Sequence, residues 1–364
     1  MDDLQNLIFN VLSKYPNLTG REIAKKLGKE KREINSFLDK NKDKFNMDES
    51  YKWTNYQKEI LIIFPSGWVD AEQYEIVLKQ YPNLFQSNMD IRFVFEQSTK
   101  FLLETIARFL ALSNQLVFQG LQITIDLGEC KDSRGYLNRA GFFDLLSDDI
   151  RVLPARPQAT IFKGNNRSLV EFGSISPNSK NKPLILNLHS SFVSKTSDDY
   201  DLAALTVFSE FIGNVSEHSE SDLDGFAALQ IYNPFHKKKH IQTVISDSGL
   251  GVVKTLRQTL EKNYPELHSK FPDDGEESDI GLAFEVFSKG SITRHGKPSD
   301  RGLGFKSSRE QATKFDADLS IRLDTFNIQL MYRDGVLKEY QISKGLTLMK
   351  GTHICFDFLL TDSD

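Results

Sequence analysis

At 364 residues the chain exceeds one ordinary domain, and a usual domain length of roughly 100–200 residues predicts two or three. An apolar fraction of 39%, a charged fraction of 26% and 27 phenylalanines belong to a folded globular protein and exclude a disordered chain. The formal charge of −5 excludes a surface that is basic throughout, while leaving room for one basic module.

Two cysteines, Cys130 and Cys355, stand too far apart for a disulfide framework or a cysteine-rich zinc site, and a reducing, cytoplasmic setting is expected. Met1-Asp2-Asp3 does not open a basic-then-apolar leader, and no run of about 18 apolar residues occurs. Neither secretion nor membrane insertion is expected.

In chain order, residues 1–55 predict three short helices and a hairpin. Leu4, Leu7, Ile8, Val11 and Leu12 recur at helical spacing, Thr19-x-x-Glu22 forms a capping box, and Gly28 ends the second helix. Ile34, Phe37 and Leu38 mark a third helix, and Lys44 to Trp53, with Asp48-Glu49-Ser50 at its middle, reads as a small β-wing. The segment resembles a winged helix-turn-helix. Two uses stand open. Duplex DNA would place the third helix in the major groove with Lys29, Lys31 and Arg32 near phosphates, whereas 11 basic against 9 acidic side chains in residues 1–54, with Glu30 and Glu33 on that helix, suit protein docking equally.

Residues 56–154 alternate strand and helix signals: Ile60 to Phe64, Ile91 to Phe95, a long apolar helix from Phe101 to Leu116, the strand Leu121 to Ile125, and a helix containing Tyr136 to Phe143. This order resembles the small α/β STAS domain of anti-sigma-factor antagonists. In that family a Ser or Thr opening the helix is a phosphoacceptor. Here Ser98-Thr99 precedes Lys100 without the family's Asp-Ser/Thr-Gly pattern, and both residues are expected to be helix caps.

Residues 155–364 carry the chemistry. Asp199 to Ser219 predicts one helix with an apolar stripe of Leu205, Phe208, Ile212 and Val215, and Glu210, Asn214, Glu217 and His218 on the other side. Strands at Phe226 to Tyr232 and Ile241 to Ile245 lead into Asp247-Ser248-Gly249-Leu250-Gly251. A carboxylate placed there can accept from an exocyclic amino group, and the glycines let backbone pass close to a purine. A second cluster, Arg301-Gly302-Leu303-Gly304-Phe305, opens a helix whose amides suit a polyphosphate.

The order of these motifs resembles the GHKL ATPase superfamily, whose nucleotide site is the Bergerat fold. Ser209 to His218 is similar to its N-box, Asp247 to Gly251 to its first glycine box, Gly302-Leu303-Gly304 to its second, and Gly351-Thr352 to its late Gly-Thr. The resemblance implies ATP and Mg²⁺ as cofactors, with Asn214 holding the metal, Asp247 reading the adenine amino group, Gly249, Gly251, Gly302 and Gly304 shaping the pocket, and Thr352 near the base. It places Glu210 as general base, one turn before Asn214, and leaves His218 a structural partner of a nearby carboxylate.

Between the boxes, Val252 to Asp300 reads as a lid. Its acidic run, Asp273-Asp274-Gly275-Glu276-Glu277, is expected as a solvated loop, and Arg294, Lys297, Arg301 or Lys306 as a phosphate contact, Lys306 being the one named. No phosphoacceptor histidine helix precedes the N-box, which argues against a histidine autokinase. No transducer domain is expected after the last strand.

The expected fold class is therefore α+β multidomain: a winged helix over 1–55, an α/β STAS-like domain over 56–154 and a Bergerat-fold α/β sandwich over 155–364. The expected function is a cytoplasmic ATP-binding regulator with Mg²⁺-dependent ATPase activity, whose nucleotide state controls contacts with a protein partner or DNA. A serine/threonine kinase of anti-sigma-factor type and a DNA-binding regulator or bacterial defence component gated by ATP are the alternatives. A homodimer enters only by analogy with the superfamily.

Overall fold

The computed structural model describes residues 4–5, 7–8, 11–12, 15, 17–42, 44–55, 59–87, 89–158, 164, 166, 168–176, 181–196, 200–218, 221–233, 239–289 and 316–360. They divide into two compact units, Met1–Ile60 and Leu61–Asp364, and the boundary expected at 154/155 falls inside the second. Both units mix helices and sheets. Among the described residues, no helix is long and apolar enough to cross a membrane.

In the first unit, β1 (Leu18–Thr19) leads into α1 (Gly20–Leu27), followed by α2 (Lys31–Lys40), β2 (Phe45–Met47) and β3 (Lys52–Asn55). The capping box forms as expected: the Thr19 hydroxyl accepts from the Glu22 amide at 3.4 Å, and the Glu22 carboxylate accepts from the Thr19 amide at 2.8 Å. Gly28 takes the left-handed conformation that stops the helix, at φ 63°. The hairpin acquires a third strand, because β1 pairs antiparallel with β3 in a sheet of order β1-β3-β2. Ile8, Leu12, Ile23, Ala24, Ile34, Leu38, Phe45 and Trp53 form a core of their own.

The second unit begins with β4 (Glu59–Phe64), β5 (Gly67–Val69), α3 (Ala71–Leu78), β6 (Asp90–Phe95), β7 (Thr99–Phe101), α4 (Leu103–Phe118), β8 (Ile123–Asp126), α5 (Lys131–Arg139), α6 (Phe142–Leu145) and β9 (Arg151–Leu153). A four-stranded sheet of order β4-β6-β8-β9 contains parallel pairs β6–β8 and β8–β9. Its alternating buried phenylalanines meet α4: Phe109 lies 6.2 Å from Phe64, 5.0 Å from Phe93 and 5.3 Å from Phe95, ring centre to ring centre.

Ser98 and Thr99 do not cap α4. Ser98 sits in a left-handed turn at φ 66°, and Thr99 starts β7, paired parallel with β5. The buried Thr99 hydroxyl faces the carbonyls of Glu96, at 2.7 Å, and Pro65, at 2.9 Å, so the local turn satisfies it. The amide that opens α4, on Leu103, donates instead to the Tyr232 hydroxyl at 2.8 Å, a partner 129 residues further on.

The remainder supplies β10 (Leu169–Ile175), α7 (Lys182–Val193), α8 (Asp201–His218), β11 (Gly225–Tyr232), β12 (His240–Ser246), α9 (Val252–Asn263), α10 (Pro265–Lys270), α11 (Glu276–Lys289), β13 (Ala317–Leu323), β14 (Phe326–Arg333), β15 (Val336–Ser343) and β16 (Thr352–Leu359). Seven strands form an antiparallel sheet of order β10-β11-β12-β16-β13-β14-β15. Directly paired residues share a face. One row reads Ala227, Ile245, Ile354, Ile321, Ile328 across five strands, and this apolar face packs on α7, α8 and α11. The opposite face carries Gln230, Gln242, Asp357 and Asp318 in one row and Ser246, His353, Arg322 and Asn327 in another.

That polar face is covered by α4, which packs on β11, β12 and β16, so α4 lies between the two sheets. Polar groups out of water need partners, and α4 and α3 bring them. Arg108 of α4 donates to Glu75 at 2.7 Å, Glu104 at 2.6 Å, Ser320 at 3.0 Å and Asn327 at 3.0 Å. Arg322 of β13, 0% exposed, donates to Glu75 at 2.8 Å and to the carbonyls of Leu323, Asp324 and Thr347. Burial alone would raise the Glu75 carboxyl; the two guanidiniums outweigh it and hold it below its ordinary value.

Glu75→Ala leaves two guanidiniums buried around a missing carboxylate, and a loss of about 3–5 kcal/mol in unfolding free energy is expected. Urea titration of the full chain measures it. A loss below about 1 kcal/mol would show that the two halves of the second unit do not rely on this cluster.

Candidate functional site

The apolar stripe of α8 runs through Ala204, Val207, Phe208, Phe211, Ile212 and Val215, all buried, with Phe211 5.2 Å from Phe356 of β16. Leu205, expected in the stripe, is 36% exposed. The buried arc is centred about one position away, on 204, 207/208, 211/212 and 215, and Leu205 lies off it.

Glu210 and Asn214 are half-buried and one turn apart. Among the described residues, neither the Glu210 carboxylate nor the Asn214 carboxamide makes a hydrogen bond. Burial, and then the charge of Glu217, raise the Glu210 carboxyl above its ordinary range. His218 closes the helix; its side chain lies outside the described residues.

Asp247 follows β12, and its side chain is held from two sides. Oδ1 accepts from the Gly249 amide at 2.8 Å and Oδ2 from the Thr352 amide at 3.2 Å, while the Asp247 amide donates to the Thr352 carbonyl at 3.0 Å. The residue is 6% exposed, and burial pushes its carboxyl up to about 6 against the pull of these donors. The Thr352 side chain pulls the same way, and of the carboxylate's four lone-pair sites one stays open for a further donor. The Thr352 hydroxyl accepts from the Val252 amide at 3.0 Å, so it caps the start of α9 instead of standing free.

Two glycines permit this closeness. Gly251 has φ 80°, and a Cβ there would stand 3.0 Å from the Gly351 carbonyl oxygen. Gly351 has φ 98°, and a Cβ there would collide with the Asp247 carbonyl. A third glycine ties the helix to the box: a Cβ on Gly225 would collide with Val215 Cγ1 and lie 2.8 Å from the Ser246 carbonyl oxygen. Val215 follows Asn214 and Ser246 precedes Asp247, so the end of α8 and the end of β12 meet at one end of the sheet.

Gly302, Gly304 and Lys306, with Arg294, Lys297 and Arg301, lie outside the described residues. The described part of the segment from Val252 to Asp300 consists of α9, α10 and α11. The acidic run is not wholly a solvated loop, because Glu276 and Glu277 open α11. Glu276 accepts from Thr325 at 2.5 Å and from the Gly345 amide at 3.4 Å, and Glu277 pairs with Lys344 at 2.6 Å. Carboxylates in a first helical turn face unpaired amides, which favours the helix there. Among the described residues no cluster of three or more His, Cys, Asp or Glu could hold a metal.

Sequence reasoning missed Gln115. This α4 residue, 3% exposed, donates to the Ser248 hydroxyl at 3.0 Å and the Lys350 carbonyl at 2.8 Å, and accepts from the Lys350 amide at 2.9 Å. The signal was present: Arg108 and Gln115 are two turns apart on one face of a helix that is largely apolar. No protein-family model matches the chain, and comparison with curated proteins returns no match.

Gly351→Ala would force a side chain into a left-handed position against the Asp247 carbonyl. A destabilisation of about 2 kcal/mol or more is expected, with faster hydrogen exchange at the Asp247 and Thr352 amides. Exchange measured residue by residue tests this, and unchanged protection would show that the two loops do not depend on their contact.

Proposed function

We propose that the C-terminal half of this chain binds ATP with Mg²⁺, as its resemblance to the GHKL superfamily implies, and hydrolyses it slowly. The observation that carries the reading is Asp247, a buried carboxylate fixed by two backbone amides at the end of a central strand, with capacity to accept one further donor. A buried acceptor of this kind is costly unless a donor completes it, and the exocyclic amino group of adenine is such a donor. The antiparallel sheet with helices on its apolar face agrees with a Bergerat-type sandwich.

Asn214 would offer its carboxamide oxygen to Mg²⁺. A lone protein oxygen fits an ion that keeps waters and takes most of its ligands from phosphates. Bound there, the ion would neutralise charge on the phosphates. Glu210, half-buried and with its proton affinity raised, would take the proton from an attacking water. The same carboxylate could serve a protein hydroxyl, so the kinase alternative differs only in the acceptor. In the first unit, the three-stranded sheet over two helices supports a winged-helix reading, and Lys29 is already paired with Glu33 at 3.4 Å. Nucleotide state would alter what that module contacts, whether protein or duplex DNA.

Titration calorimetry with Mg-ATP is expected to show binding by the wild type, none by Asp247→Ala, and near-normal binding by Glu210→Gln. Phosphate release should fall at least about 100-fold in Glu210→Gln, the scale of a lost general base. Unchanged ATP affinity in Asp247→Ala would overturn the assignment, and label appearing on protein instead of free phosphate would favour the kinase.

Acid gives an independent check. The carboxylate, not the carboxylic acid, accepts from the amino group, so ATP preference over inosine triphosphate, which lacks that group, should hold above pH about 6 and shrink below it.

A further inference from the structure

The two loops that hold Asp247 are clasped together by one side chain from the first half of the second unit. Ser248 lies directly after Asp247, and Lys350 directly before Gly351-Thr352, whose Thr352 amide binds Asp247 Oδ2. Gln115 joins them. Its carboxamide accepts from the Lys350 N–H at 2.9 Å and donates to the Lys350 carbonyl at 2.8 Å, closing a ring with that residue's backbone, while the same Nε2 reaches Ser248 Oγ at 3.0 Å.

The Lys350 peptide is also fixed from behind. His353 Nε2 lies 3.0 Å from its carbonyl, and His353 Nδ1 contacts the Ser246 hydroxyl. Burial keeps His353 neutral, its proton affinity lowered to about 3, so Nε2–H donates to Lys350 and Nδ1 accepts from Ser246. With His353 holding the carbonyl, what Gln115 alone supplies is the acceptor for the Lys350 amide and the tie to Ser248. Both act on the separation of the loops whose amides orient the Asp247 carboxylate.

We propose that Gln115 is a positioning residue for the nucleotide site: from α4 it sets the orientation of Asp247 toward the base, so that purine selectivity depends on the first half of the second unit. The inference rests on Asp247 reading adenine. Gln115 lies behind the loops and is assigned no contact with the nucleotide. Its loss should affect recognition of the amino group while sparing interactions with ribose and phosphate, whereas a merely structural role would weaken every nucleotide alike.

The test uses the full chain and Kd values for ATP and inosine triphosphate. Gln115→Met keeps the length of the side chain and removes its polar atoms. It is expected to raise the Kd for ATP about tenfold and to leave that for inosine triphosphate within about twofold, the scale of one or two lost hydrogen bonds to a buried site. Ser248→Ala removes one tie and should narrow the preference about threefold. Equal weakening of both nucleotides, or an unchanged preference, overturns the proposal; if Gln115→Met does not fold, Ser248→Ala decides it in the same way. A wild type without preference for ATP would remove the reading of Asp247 and this inference together, whereas a wild-type preference retained by both variants removes the inference alone.

Discussion

The second unit is organised by the need to bury a polar sheet face. Seven antiparallel strands present isoleucine, leucine and phenylalanine to α7 and α8, and arginine, histidine, glutamine and aspartate to α4. A helix that merely excluded water there would leave guanidiniums and amides without partners, at several kcal/mol each. The helix α4 resolves this by being two-sided. Phe109 faces the phenylalanines of the four-stranded sheet, while Arg108 and Gln115 face the seven-stranded one and its loops.

The candidate site inherits its rigidity from that arrangement. Asp247 follows the last residue of β12, opposite Thr352, and the groups around it are mostly backbone: the amides of Gly249 and Thr352, and the carbonyl contact at Gly351. Backbone donors in fixed loops hold a carboxylate in one orientation without the entropy cost of ordering flexible side chains. Glu210 and Asn214 differ in kind. They project from a helix, half-buried and without hydrogen bonds among the described residues.

Much of this was legible in the sequence where local rules apply. The Thr19 capping box, the Gly28 stop and the strands ending at Asp247 follow from spacing and residue type, whereas Gly351-Thr352 was singled out only through the family resemblance. The misplaced elements are those decided by distant partners. Thr99 has the composition of a helix cap but finds the Pro65 carbonyl, and Tyr232 takes its place at the start of α4. Leu205 fits a helical apolar pattern that tertiary packing rotates by about one residue. The acidic run reads as a solvated loop until Thr325 and Lys344 are brought opposite Glu276 and Glu277. Gln115 was visible as an oddity, but its meaning depends on residues more than a hundred positions away.

The contact between Arg108 and Ser320 spans 212 positions of sequence, and that between Glu75 and Arg322 spans 247. During synthesis, α3 and α4 leave the ribosome long before the strand that neutralises them exists. Until β13 emerges, Arg108 has only Glu75 and Glu104 for company, and the face of α4 meant for the sheet remains exposed to other chains. Non-local pairing of this sort makes the final assembly of the second unit late and slow relative to local helix formation. The first unit, whose core is built from residues 8–53, carries no such delay. Its fold is therefore complete while the C-terminal half of the chain is still being made.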